Sequence, residues 1–397
     1  MRLCFLFVVF IFFPPILNCI ESERPVVLMI GTRPEAIKMI PVYRALQNEN
    51  IPTILCSTGQ HAELIESALS LFEVVPDFDL KIMKPGQSLF HITEAVLEKT
   101  GKLFKELTPS LVVVQGDTTS AMAAALAAFY LHIPVAHVEA GLRSGNIQGP
   151  FPEELNRRVV SLIASYHFAP TELAVSKLLE EGIEKERIFC TGNTVVDALF
   201  EVQQKIQLGQ LKPSFFLEET IELYRKLGNR ILLLTAHRHE SFDGGLQNIF
   251  SSIKTALQRY PNLCVIYPSH PNPTVQRILK ESSLESLPNI SIFSPLPYHD
   301  MVYLLSHVDA VATDSGGIQE EAVSLGKPVF VLRNETDRPE GKTILVGTDQ
   351  ETILKEIEKF METDHFDSKV QPVYGDGRSS ERIAKLIKNI LEKEVSP

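Results

Sequence analysis

Short, mostly apolar runs alternate with amphipathic stretches along this chain from residue 26 to about residue 363. Val26–Ile30, 52–57, Leu111–Gln115, 134–138, Tyr166–Ala169 and 188–191 are apolar almost throughout rather than at every second position. That pattern predicts strands covered on both faces. Helical periodicity fills the intervals, as at 89–107 and in the small-residue stretch 121–131, so each strand is followed by a helix and the strands are predicted to run parallel. Residues 209–228 lack strand character and read as linker plus one helix. A second series then begins with Arg230–Thr235, 264–267, Ile290–Phe293, 308–312 and 328–332. The prediction is two doubly wound α/β domains facing each other across a cleft, 24–192 and 193–378, with a helix at 379–393 folding back onto the first.

Polar residues concentrate where the strands end, which is where open parallel sheets bind ligands. Gly31-Thr32-Arg33-Pro34-Glu35-Ala36-Ile37-Lys38 turns from the first strand into a helix with two cations near its N-terminus, an arrangement that calls for an anion between them. Asp117 follows the strand Leu111–Gln115, and capping of the next helix is its alternative role. Glu139 follows 134–138, with an ion pair to Arg143 as its alternative. Glu153 opens a helix rich in acids, where capping is again the simpler explanation. His237 and His270 occupy strand ends of the second series. Asp314-Ser315-Gly316-Gly317 leads from a strand into a helix, where side-chain-free backbone and free N–H groups make an anion site. Glu321, one turn on, is placed to accept hydrogen bonds from sugar hydroxyls.

Composition narrows the chemistry. The 397 residues are 22% charged and 44% hydrophobic with a net charge of −11, which argues against nucleic acid or an anionic membrane as the main partner. An anionic ligand then needs local clusters such as Arg33 with Lys38 and Arg333 with Arg338. Cys4, Cys19, Cys56, Cys190 and Cys264 are scattered without metal-ligand spacing and read as buried thiols of a reducing compartment. No GxGxxG, Walker or GxSxG motif is present, and no metal-spaced cluster. An enzyme handling a nucleotide diphosphate compound without metal or redox cofactor fits this inventory. The apolar residues 3–17 resist it: a signal peptide, a membrane anchor and a misplaced start are the readings for 1–23, with membrane contact through 1–20 following from the second.

Taken together, Gly31 to Lys38, Gln115-Gly116-Asp117-Thr118-Thr119, His137-Val138-Glu139-Ala140-Gly141-Leu142-Arg143, Pro152-Glu153-Glu154-Leu155-Asn156-Arg157, His237-Arg238, Asp314 to Glu321 and Glu335-Thr336-Asp337-Arg338-Pro339-Glu340 resemble the non-hydrolysing UDP-N-acetylglucosamine 2-epimerases. The resemblance implies a GT-B fold of two Rossmann-like domains, a cytoplasmic homodimer, and interconversion of UDP-GlcNAc and UDP-ManNAc for cell-surface polysaccharide. It implies elimination of UDP to 2-acetamidoglucal and re-addition with C2 inverted. It gives the acid/base work to Asp117, Glu139 and Glu153, with His237 catalytic or stabilising the diphosphate. Arg33, Lys38, His270, Ser315, Gly316, Gly317, Glu321 and Arg338 fall to UDP. An allosteric UDP-GlcNAc site implied for bacterial members falls to Gln60, His61 and Arg238. Three positions depart from the family's usual pattern: Glu63 replaces a second Gln, His239 an Arg, and Met301 an aromatic near the base. The hydrolysing relatives, a GT-B glycosyltransferase and a non-catalytic UDP-sugar sensor are the rival readings.

Overall fold

A computed structural model describes residues 24–60, 62–238, 241–363 and 372–395. The expectations for 1–23, His61 and His239 lie outside the described residues. Seven parallel strands make the first sheet: β1 Val26–Ile30, β2 Thr53–Ser57, β3 Phe78–Asp79, β4 Leu111–Gln115, β5 Val135–Val138, β6 Tyr166–Ala169 and β7 Ile188–Cys190, in the order β3-β2-β1-β4-β5-β6-β7. Six more make the second: β8 Arg230–Thr235, β9 Leu263–Pro268, β10 Ile290–Phe293, β11 Ala310–Thr313, β12 Val329–Val331 and β13 Thr343–Leu345, in the order β10-β9-β8-β11-β12-β13.

Both sheets reverse direction of build at one strand pair, β1 with β4 and β8 with β11. At such a switch point the flanking crossovers go to opposite faces and leave a crevice beyond the strand ends. The sequence places Arg33 to Lys38 after β1 and Asp117 after β4, His237 after β8 and the Gly316-Gly317 turn after β11. Topology therefore delivers the polar strand ends to two crevices.

The central strands are buried along their whole length, as their unbroken apolar runs require: Val26 to Ile30 and Leu111 to Val114 are at most 2% exposed. The helix Ser379–Val395 packs on the first domain, where Ile383, Ala384 and Ile387 share a buried cluster with Leu28, Ile30 and Val113. The edge strands β3 and β13 escape the sequence reading because they are two and three residues long and largely exposed. An edge strand carries no double-sided apolar run by which to find it. Cys56 and Cys264 are buried, but Cys190 is exposed, since β7 is itself an edge. Among the described residues no helix is long and apolar enough to cross a membrane.

His137 and His167 face one another in register on β5 and β6, both without exposed surface. Burial pushes their imidazoles down to about 4 and about 3. The unfolded chain takes up these protons below its ordinary histidine value near 6.5 and the native chain does not, so their contribution is full above that value and falls as pH drops. His167→Leu isolates it, because other titrating groups cancel between parent and variant. The parent's stability relative to the variant is expected to fall by about 1.4 kcal/mol between pH 7.5 and 5.5, one unit below the unfolded value. Urea midpoints at the two pH values check this, and a constant difference would refute it.

Candidate active site

The two crevices merge into one cavity of about 450 Å³ between the domains. Arg33, Lys38, Asp117, Glu139 and Glu153 line it from the first domain; His237, Arg238, His270, Ser315, Gly316, Gly317, Glu321 and Arg338 line it from the second. Gln60 does not: its side-chain oxygen accepts from Ser120 Oγ at 2.6 Å.

The carboxylates are not capping groups. The helix Thr119–Tyr130 is capped by Thr118, whose hydroxyl accepts from Ala121 N at 3.0 Å, leaving Asp117 to bind Arg157 Nη2 in a close ion pair. Asn156 Nδ2 donates to the Asp117 carbonyl at 2.9 Å, fixing the backbone as well. Glu139 does not pair with Arg143, which binds Glu181 instead. It sits at φ 63°, in the left-handed region that costs a non-glycine residue roughly 1–2 kcal/mol. Such a conformation persists only where the surroundings impose it. Here its Oε2 pairs with Lys38 and accepts from Asn193 Nδ2 at 3.1 Å, while Oε1 accepts from Arg338 Nη2 at 3.1 Å. The anion expected beside Lys38 is thus supplied in part by the protein itself.

These contacts belong to a buried ionic chain joining the domains. Lys38 Nζ reaches Glu320 Oε2 at 3.2 Å, and Arg338 Nε donates to Glu320 Oε1 at 2.7 Å. Asp337 Oδ2 accepts from Arg338 Nη1 at 2.6 Å and from Arg157 Nη1 at 2.7 Å. Asp117 and Glu139 are thereby connected through Arg157, Asp337 and Arg338. Burial would raise the Glu139 and Asp337 carboxyls, but the facing cations outweigh it: Lys38 and Arg338 hold Glu139 low, and Arg338 and Arg157 hold Asp337 far lower. Glu320 and Asp337 are the residues sequence reasoning missed. Helical phase was the available signal, since 316 and 320 share a face of the helix Gly316–Ser324 while 321 is turned about 100° away. Glu321 accordingly accepts from Tyr298 Oη at 2.8 Å rather than joining the chain.

Glu153 differs from the other two acids. It lines the cavity, its Oε2 has no hydrogen-bond partner among the described residues, and burial raises its carboxyl. Two further carboxyls, Glu35 and Glu321, are pushed up to about 7 by burial. On the opposite wall, Asp314 Oδ2 accepts from the backbone N–H groups of His237 (2.5 Å) and Arg238 (2.7 Å), and Oδ1 stands 3.4 Å from His237 Nδ1. The His237 and His270 rings stack with centroids 4.9 Å apart. Ser315 precedes the helix Gly316–Ser324 without a side-chain cap, its own N–H donating to Thr313 Oγ1 at 2.9 Å, so the N–H groups that open the helix stand uncapped beside the cavity, where anions are favoured. A Cβ at Gly316 would lie 2.8 Å from Arg338 Nη1, whereas one at Gly317 meets nothing within 4 Å. The Arg338 guanidinium thus leaves no room for a side chain at Gly316, whereas Gly317 is open, and both glycines line the cavity.

A family profile described as UDP-N-acetylglucosamine 2-epimerase matches residues 44–388. The protein of that name from Yersinia pestis is 42% identical over 374 residues, covering 92% of this chain and 98% of the relative. That from Neisseria meningitidis serogroup A is 42% identical over 373 residues, covering 92% and 99%. Among solved structures, the N. meningitidis UDP-GlcNAc 2-epimerase bound to UDP-GlcNAc superposes with a TM-score of 0.85 at 40% identity, covering 92% of this chain and all of the other. The Methanocaldococcus jannaschii enzyme in complex with UDP-GlcNAc and UDP gives 0.78 at 34% identity, with 92% and 99% covered. The relatives and solved structures cover 92% of this chain, and the fold is the GT-B arrangement; the chain belongs to the UDP-N-acetylglucosamine 2-epimerase family.

Proposed function

We propose that this protein interconverts UDP-GlcNAc and UDP-ManNAc without net hydrolysis, supplying ManNAc units for cell-surface polysaccharide. The observation that carries this reading is one interdomain cavity holding three carboxylates of unlike environment beside an uncapped helix N-terminus. Inversion at C2 needs a base on one face of the ring and an acid on the other. Removal of the C2 proton by a carboxylate forms the C1=C2 bond as the C1–O bond to UDP breaks, giving 2-acetamidoglucal and UDP. Proton delivery to the opposite face of C2 and return of the diphosphate oxygen to C1 complete the epimerisation.

The environments divide the labour. Asp117 is ion-paired with Arg157, and Glu139, whose carboxyl Lys38 and Arg338 hold low, is kept ready as a carboxylate. Glu153 is half-buried, and burial raises its carboxyl, a shift toward holding the proton that an acid must deliver. The departing diphosphate meets the N–H groups of Gly316 and Gly317, with Arg33, His237 and His270 beside it; donors placed where charge develops stabilise the transition state. Glu321 and Tyr298 serve the nucleoside end. Enclosure between two domains retains both UDP and glycal, which a non-hydrolysing course requires.

A proton NMR time course with UDP-GlcNAc in deuterated water tests the proposal. UDP-ManNAc carrying deuterium at C2 is the expected product. Free ManNAc and UDP would replace this reading with the hydrolysing one, and an unchanged spectrum with UDP binding intact would point to the sensor.

A further inference from the structure

Glu320 does not line the cavity and has no exposed surface, yet it shares every donor that holds Glu139. Lys38 Nζ bridges the two carboxylates, Asn193 Nδ2 donates to Glu139 Oε2 (3.1 Å) and Glu320 Oε1 (3.0 Å), and Arg338 spans them with Nη2 and Nε. No substrate atom needs to reach Glu320. Two carboxylates behind and before the same three donors are an expensive arrangement in a buried site, because like charges raise one another's proton affinity.

We infer that Glu320 is a positioning residue for the reaction: by competing for Lys38, Asn193 and Arg338 it sets the orientation and basicity of Glu139. This rests on the acid/base role proposed for Glu139. When Glu139 takes the C2 proton and becomes neutral, Lys38 and Arg338 lose one counter-charge, and Glu320 keeps them in place until Glu139 gives up that proton. With Glu320 absent, both cations bear on Glu139 alone and make it a weaker base. The groups facing Glu320 are Lys38 from the helix Arg33–Asn48, Glu139 after β5, Asn193 at the start of the helix Thr194–Gln207, Arg338 after β12, its own neighbour Glu321, and Tyr374. Burial raises the Glu320 carboxyl and Arg338 and Lys38 only partly offset this, consistent with a pair that carries charge unequally. The same helix offers its N-terminus to the diphosphate one turn earlier, so phosphate binding and the setting of Glu139 share one rigid element.

The test is Glu320→Gln in the full chain, with Glu320→Asp as the conservative partner. Two readouts are needed: the titration of the Glu139 carboxyl without substrate, by difference infrared spectroscopy referenced to Glu139→Gln, and the pH profile of kcat with KM and UDP affinity. In Glu320→Gln the Glu139 titration and the acid limb of kcat are expected to move down by about half a pH unit or more. Turnover is expected to fall about tenfold, with UDP affinity within about twofold of the parent. Glu320→Asp returns the limb toward its parental position. Unmoved titration and pH profile in Glu320→Gln would overturn the inference, as would equal losses in both variants with the profile unmoved, which mark a purely structural group. A parent without epimerase activity whose Glu139 titration still responds to Glu320→Gln would sink the proposed function and uphold the positioning.

Discussion

Asp117→Asn is expected to lower turnover of UDP-GlcNAc by about 10³-fold, within the range contributed by a positioned acid or base, while UDP still binds. The amide is close to isosteric with the carboxylate, so the cavity keeps its shape, and Asp117 lies on the wall opposite the helix Gly316–Ser324 proposed for the diphosphate. What is lost is the ability to hold a proton. Arg157 keeps Asp337 and Glu154 as partners, so its charge is not stranded. Steady-state kinetics with a coupled UDP-ManNAc assay, alongside calorimetric UDP binding, separates the effects. An active variant would remove Asp117 from the chemistry, and a sensor would be indifferent to the change in both measurements.

Arg338→Leu is expected to be the most damaging single substitution for stability, at about 3–5 kcal/mol, the cost of stranding buried partners of an ion pair. One guanidinium places its nitrogens on Glu139, Glu320 and Asp337, all at most 6% exposed. Leucine fills much of the volume and compensates none of the charge. Lys38 alone cannot neutralise Glu139 and Glu320 together, and Asp337 keeps one of its two ion pairs, to Arg157, with Arg333 nearby. Because Arg338 and Asp337 lie after β12 and Arg157 and Glu139 in the first domain, the loss also loosens the approach of the two domains. Denaturant unfolding followed by circular dichroism measures the cost. A loss below about 1 kcal/mol, the range of a surface pair, would mean that solvent already screens the chain of charges.

Part of the site was legible because parallel strands advertise themselves. A strand covered on both faces has to be apolar along its length, and the first polar residues after it must lie where the sheet ends. Asp117, Glu139, His237 and Ser315 all sit in that position, so a run of hydrophobic residues sufficed to nominate them. That Arg338, from beyond the next strand, occupies the space beside Gly316 could not be read from local spacing. Glu139 could be assigned to Arg143 or to nothing from local spacing, because its cationic partners lie 101 and 199 positions away.

By itself the sequence determined the alternation of strand and helix, the two-sheet architecture, the family, and the strand-end residues that meet at the cavity. These are set by burial and backbone geometry, which act on neighbours in the chain. Only the tertiary structure decided which carboxyls are held low by facing cations and which are raised by burial, that Glu320 rather than Glu321 joins Glu139, and that Asp337 links the clamps on Asp117 and Glu139. The physical reason is that proton affinity and ion pairing in a buried site depend on distances of a few ångströms between groups from different domains. Nothing along the chain encodes those distances until both sheets have formed and closed on one another.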